Sequence, residues 1–180
     1  MLQFSPNSTI ALVGSSDGLP RGSDAVPRLC AFLESLGLRT VVFPSLYQTA
    51  AGTPQPAERR AADIQAAFAS PEVDAVFDLT GGDGANAVLP HLDLRKIAHT
   101  PKPFFGYSDV SALLNPLQDF GHVPVFYCQP RFLASCPAAA ERFTRWIQRQ
   151  DDDLFRFRCT FLQGSQPVSY THLRAHETKA

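Results

Sequence analysis

The segment Val73-Asp74-Ala75-Val76-Phe77-Asp78-Leu79 runs directly into Thr80-Gly81-Gly82-Asp83-Gly84. A short apolar run closed by a glycine-rich turn has the form of a strand buried on both faces of a parallel sheet. The same grammar occurs upstream. Thr9 to Gly14 is apolar and leads into Ser15-Ser16-Asp17-Gly18, and Arg39 to Phe43 forms another strand-like run, closed by Pro44. Helical patterns separate these runs. Asp24 to Leu36 spaces Val26, Leu29, Cys30, Leu33 and Leu36 along one face, with Gly37 suited to the left-handed C′ position. Pro56 to Ala69 is alanine-rich, with proline near its first turn.

Downstream the alternation continues. A short helix is expected near Ala85 to Leu89, a strand end at Phe104-Phe105-Gly106, and a helix over Val110 to Phe120 interrupted by Pro116. A strand over Val123 to Cys128 follows, then an amphipathic helix over Pro137 to Gln150 with Phe143, Trp146 and Ile147 on one side. This order predicts an α/β fold, a mostly parallel, Rossmann- or flavodoxin-like sheet with helices on both faces. In such sheets the working residues lie in loops at the carboxyl ends of the strands. The loop after Leu79 and the turn at Ser108 both fall there.

The 180 residues suffice for one sizeable domain. With 16 basic and 17 acidic side chains the net charge is -1, which argues against a nucleic-acid or membrane-surface partner. No apolar stretch approaches the roughly 20 residues of a membrane span, and the first residues carry no basic n-region. Cys30, Cys128, Cys136 and Cys159 form no CxxC pair. Cys30 and Cys128 fall among apolar residues and read as buried free thiols, which suits a reducing cytoplasm. Cys128 is kept as an alternative nucleophile.

The organisation expected is a nucleophile-bearing domain over 1–150, the start of a linker over 151–167 and an artefactual tail over 168–180. Val168 to Thr178 looks like a translated sequencing adapter, so it is set aside from the fold. His172 and His176, four apart beside Glu177, would suit zinc on a helix, or a His and Glu to complete a triad, but they fall in this tail. Asp151-Asp152-Asp153 reads as a solvated turn.

Phe104-Phe105-Gly106-Tyr107-Ser108-Asp109 has the layout of a strand, a close turn and the start of a helix. A serine hydroxyl needs a base to take its proton and backbone donors to hold the oxyanion, and such a turn supplies the donors. Val110 stands where the G-x-S-x-G elbow has its second glycine. Local pattern therefore leaves two readings: Ser108 as nucleophile, or Ser108 or Asp109 as a helix N-cap. The loops at Gly14–Gly18 and Thr80–Gly84 permit a nucleotide- or sugar-binding module, though neither has the glycine spacing of a known phosphate loop. His91, His99 and His122 lie at element ends and read as solvent-facing.

In order, Gly81-Gly82, Leu89-Pro90-His91-Leu92-Asp93, Pro101-Lys102 and Gly106-Tyr107-Ser108-Asp109 closely resemble the LD-carboxypeptidase, or muramoyltetrapeptide carboxypeptidase, family. The resemblance runs from Ile10 to about Phe132 and takes in Arg60, Asp63 and Phe126-Tyr127. Thr80-Gly81-Gly82-Asp83 looks closer to members that inactivate microcin-type antibiotics. The resemblance implies Ser108 as nucleophile and the N–H groups of Asp109 and Gly82 as the oxyanion hole. Gly81 and Asp83 would bear on substrate binding. It further implies release of a terminal D-amino acid from a small murein peptide or peptide antibiotic, with no metal or cofactor, usually by a cytoplasmic homodimer. The family's His and Glu come from a C-terminal domain, so this chain is expected to be an almost inactive N-terminal part. Gln129 stands where the family has glycine before Pro130, which puts the shape of that loop in question.

Overall fold

The computed structural model describes residues 4–148, together with the backbone of 159–163 and 166–170. Five strands, β1 (Thr9–Val13), β2 (Arg39–Val42), β3 (Ala75–Asp78), β4 (Phe104–Gly106) and β5 (Val125–Tyr127), form one all-parallel sheet in the order β2-β1-β3-β4-β5. This is the predicted doubly wound architecture, and its topological switch lies between β1 and β3. β1, β3 and β4 are buried along their whole length, as their continuous apolar runs require. β2 is an edge strand and mostly exposed.

The sheet has an apolar layer on each face. One layer gathers Ile64, Phe68, Val76, Phe104, Leu113 and Leu117, the other Leu12, Leu29, Leu33, Phe77, Phe105 and Phe143. The first is roofed by α2 (Ala57–Ala69), α3 (Leu94–Ala98) and α4 (Ser111–Gly121), the second by α1 (Ala25–Ser35) and α5 (Pro137–Ile147). α1 ends as its sequence dictates. Gly37 has φ 78°, its N–H reaches Glu34 O, and the N–H of Leu38 returns to Leu33 O.

One local expectation is corrected, at Pro116, and others gain detail. The short helix expected near Ala85 is a 3₁₀ helix that runs on through His91, with Pro90 inside it. A further helix, α3, follows it, started by the Asp93 carboxylate accepting from Lys96 N–H at 3.1 Å. Pro116 does not interrupt α4, which runs through it from Ser111 to Gly121. A separate antiparallel pair, β6 (Cys159–Gln163) and β7 (Gln166–Tyr170), spans positions read as linker and tail. Arg149 and Gln150, the Asp151–Asp153 run, and His172, His176 and Glu177 lie outside the described residues.

Candidate active site

Three loops meet at the carboxyl ends of the strands: 14–18 after β1, 80–84 after β3, and the turn from β4 into α4. Gly106 is required at the last of these, because a Cβ there would lie 2.5 Å from Val110 Cγ1. Two residues on, Ser108 adopts φ 61°, a left-handed conformation that costs a non-glycine residue about 1–2 kcal/mol. A 3₁₀ turn, Ser108–Val110, then leads into α4. Ser108 is exposed, and its hydroxyl bonds to no other described residue. Neither helical segment here has a side-chain cap, so the N-cap reading of Ser108 and Asp109 is overturned. Ser108 thus stands strained and exposed between a strand and a helix N-terminus, a layout shared with nucleophile turns.

The loop after β3 lies alongside. A Cβ on Gly81 would sit 3.9 Å from Ser108 Cβ. Gly82, at φ 139°, lies directly under the Asp17 carboxylate, and a Cβ there would come 2.0 Å from Asp17 Oδ2. Gly82 and Asp83 are exposed, and the Asp83 N–H donates to Asp17 Oδ1 at 3.3 Å. The N–H groups of Gly82 and Asp109 donate to no acceptor among the described residues. Unpaired backbone donors of this kind suit developing negative charge.

Buried charge fixes the loops from below. Asp78, fully buried at the end of β3, accepts from Ser15 N–H at 2.9 Å, Thr80 N–H at 2.9 Å and Thr80 Oγ1 at 2.7 Å. Burial pushes its carboxyl above the usual range, and these donors pull it back. Arg60, only 5% exposed, rises from α2 and donates through Nη1 to the carbonyls of Ser15, Ser16 (3.2 Å) and Gly84 (3.0 Å). Burial lowers its pKa, while Asp17, Asp78, Asp109 and Glu58 favour the charged form. Asp63, one turn further along α2, accepts from Ser45 N–H at 2.7 Å and so anchors the segment after β2.

The first glycine loop is not an open phosphate cradle. Its N–H groups at Ser15, Ser16 and Asp17 donate to Asp78, to Thr80 Oγ1 at 3.0 Å and to Gly81 O at 3.4 Å. Gln129, with φ -94°, needs no glycine. Its side chain donates to Thr80 O at 3.2 Å and accepts from Arg131 N–H at 3.3 Å, tying the loop after β5 to the site.

The other candidates fall elsewhere. Burial pushes the Cys128 thiol up to about 11, so it is a neutral thiol at physiological pH and a poor nucleophile. His91, His99 and His122 are exposed. His91 faces Glu58 at 3.6 Å, and His122 closes the far end of α4, about 16 Å by helix rise from Ser111 at its start. None of them hydrogen-bonds to Ser108. Sequence reasoning assigned no role to Ser16, Asp17 or Asp78. A carboxylate at the end of an otherwise apolar strand, as in Val-Phe-Asp78, is the signal that could have flagged the last.

The profile of the LD-carboxypeptidase N-terminal domain matches residues 10–128. The chain is 39% identical over 84 residues to the murein tetrapeptide carboxypeptidase of Pseudomonas aeruginosa, a match covering 44% of this chain and 26% of that protein. It is 37% identical over 57 residues to the microcin C7 self-immunity protein MccF of Escherichia coli, covering 32% and 17%. Among solved structures, an MccF mutant bound to adenosine monophosphate superposes with a TM-score of 0.72 at 19% identity, over 99% of this chain and 55% of that one. The muramoyltetrapeptide carboxypeptidase of Oxalobacter formigenes gives 0.54 at 25% identity, over 63% and 38%. This chain thus spans about a quarter of the Pseudomonas protein and just over half of the MccF structure. With most of its length matched, from β1 to the end of β5, the chain belongs to the LD-carboxypeptidase family through that family's N-terminal domain.

Proposed function

We propose that this chain is the nucleophile-bearing part of a serine-type LD-carboxypeptidase that removes a terminal D-amino acid, D-alanine, from murein tetrapeptides during cell-wall recycling. The observation that carries the reading is Ser108, exposed and held at φ 61° beside Gly81–Gly82. Ser108 Oγ attacks the carbonyl carbon of the bond between the L-configured centre and the terminal D-residue. Charge on the carbonyl oxygen is received by the N–H groups of Gly82 and Asp109, with the positive end of α4 behind them. The D-amino acid leaves with a proton, and water then hydrolyses the acyl–serine ester. Gly81 and Asp83 border the side from which the peptide approaches.

A base must take the Ser108 proton, and no described histidine hydrogen-bonds to it. We assign that role to a His oriented by a Glu in a further domain of the full-length, cytoplasmic, homodimeric enzyme. On this reading the 180-residue chain alone is slower by about 10⁴-fold or more, the usual consequence of losing a triad base. A second reading, a peptidase acting on a microcin-type peptide antibiotic, draws on Thr80-Gly81-Gly82-Asp83 and the similarity to MccF. The test is D-alanine release from a murein tetrapeptide by the full-length protein and its Ser108→Ala variant, with an aminoacyl sulfamoyl nucleoside as competitor. Unchanged release after Ser108→Ala would overturn the assignment, and tighter binding of the competitor than of the murein peptide would favour the second reading.

A further inference from the structure

The Asp109 side chain points away from the turn that contains it. Its Oδ2 accepts from Ser16 Oγ at 2.5 Å and from Ala85 N–H at 2.8 Å. Ser16 belongs to the loop after β1, and Ala85 opens the 3₁₀ helix that ends the glycine loop after β3. One oxygen atom therefore joins all three loops of the site. Ser16 itself is fully buried, and its N–H is held by Thr80, the residue just before Gly81 and Gly82. The two oxyanion donors of the proposed reaction sit on different loops, Gly82 on one and Asp109 on another. Their separation is set by whatever couples those loops above the sheet.

From this geometry we infer that the Asp109 carboxylate is a positioning residue, a latch through Ser16 and Ala85 that fixes the Gly82 N–H relative to Ser108. The inference rests on the peptidase reading above. A short hydrogen bond to an ionised acceptor is among the stronger polar contacts available, and here two donors share it. Arg60 braces the same loops through the carbonyls of Ser15, Ser16 and Gly84, so the chain fold survives loss of the latch while its register relaxes. An error near 1 Å in such a register lowers turnover by about 10²-fold. Because both bonds end on a single oxygen, asparagine can reproduce them with its amide carbonyl.

The experiment measures kcat and KM for D-alanine release by the full-length enzyme and its Asp109→Ala, Asp109→Asn, Ser16→Ala and Ser108→Ala variants, with thermal melting of each. Asp109→Ala is expected to lower kcat by about 10²-fold with KM changed less than about threefold. Ser16→Ala should lower it by less, and Asp109→Asn should restore kcat to within about fivefold of the parent. Equal losses in Asp109→Ala and Asp109→Asn would overturn the latch, as would a kcat unchanged in Asp109→Ala. If Asp109→Ala fails to fold, Ser16→Ala and Asp109→Asn decide alone, with parental kcat in Ser16→Ala the contrary result. Failure of the underlying reading is separate: it appears as full activity in Ser108→Ala.

Discussion

At the amino-terminal ends of the strands the chain is closed by backbone geometry and by part-exposed side chains, with the Asp74 carboxylate accepting from Thr9 N–H at 2.8 Å and Arg39 Nε donating to Asn7 O at 3.0 Å, whereas at the carboxyl ends it is closed by buried charge. Before β2 the turn at Gly37 stands in open space, with nothing within 4 Å of the position a Cβ would take. Before β4, Lys102 Nζ donates to the carbonyls of Ala67 (3.2 Å) and Ser70, capping the end of α2. Burial lowers that lysine's pKa. At the other end, Gly14, Gly82 and Gly106 would each bring a Cβ within 2.0–2.8 Å of a neighbouring atom. Arg60, Asp78 and Asp109 interlock there. Equivalent loops on one sheet thus differ in tolerance: one end needs only to turn the chain, the other must hold specific atoms in place.

The largest effect expected is chemical and confined to the crowded end. Ser108→Ala should lower D-alanine release by the full-length enzyme by about 10⁴-fold or more with little change in melting. Ser108→Gly should be equally inactive yet more stable by about 1 kcal/mol in urea unfolding, because it relieves φ 61°. A stability loss in the glycine variant would contradict backbone strain at Ser108. Next comes Arg60→Met, which leaves Asp78 buried without its nearby cation. It should cost about 3–5 kcal/mol by denaturant titration, while Lys102→Met, at the open end, costs only about 1 kcal/mol. Equal losses would erase the contrast between the two ends. The smallest pair concerns glycines. Gly82→Ala must displace Asp17 and should lower kcat by about 10²-fold. Gly37→Ala should change stability by about 1 kcal/mol through its positive φ and leave kcat alone.

Most of the sheet was legible because apolar runs and helical spacing are local properties of β1, β3, α1 and α2. The exception was Pro116, carried inside a packed α4 where tertiary contacts override its local preference. The turn at Ser108 was recognisable from Gly106 and the family resemblance, but local pattern could not separate nucleophile from cap. Excluding Asp109 as a cap depended on where its carboxylate goes, to Ser16 at 93 residues' remove in sequence. Arg60 and Asp63 were visible only as matching positions, and Asp17 over Gly82 not at all, since both arrangements arise when distant loops converge. Lys102, part of the matching Pro-Lys pair, has a structural role as a helix cap.

The most direct measurement is peptide mapping of the full-length protein after reaction with a serine-directed fluorophosphonate. A single adduct on the peptide containing Ser108, lost in Ser108→Ala, is the expected result. An adduct on Cys128 or elsewhere, or none on Ser108 while D-alanine is still released, would contradict Ser108 as the attacking group.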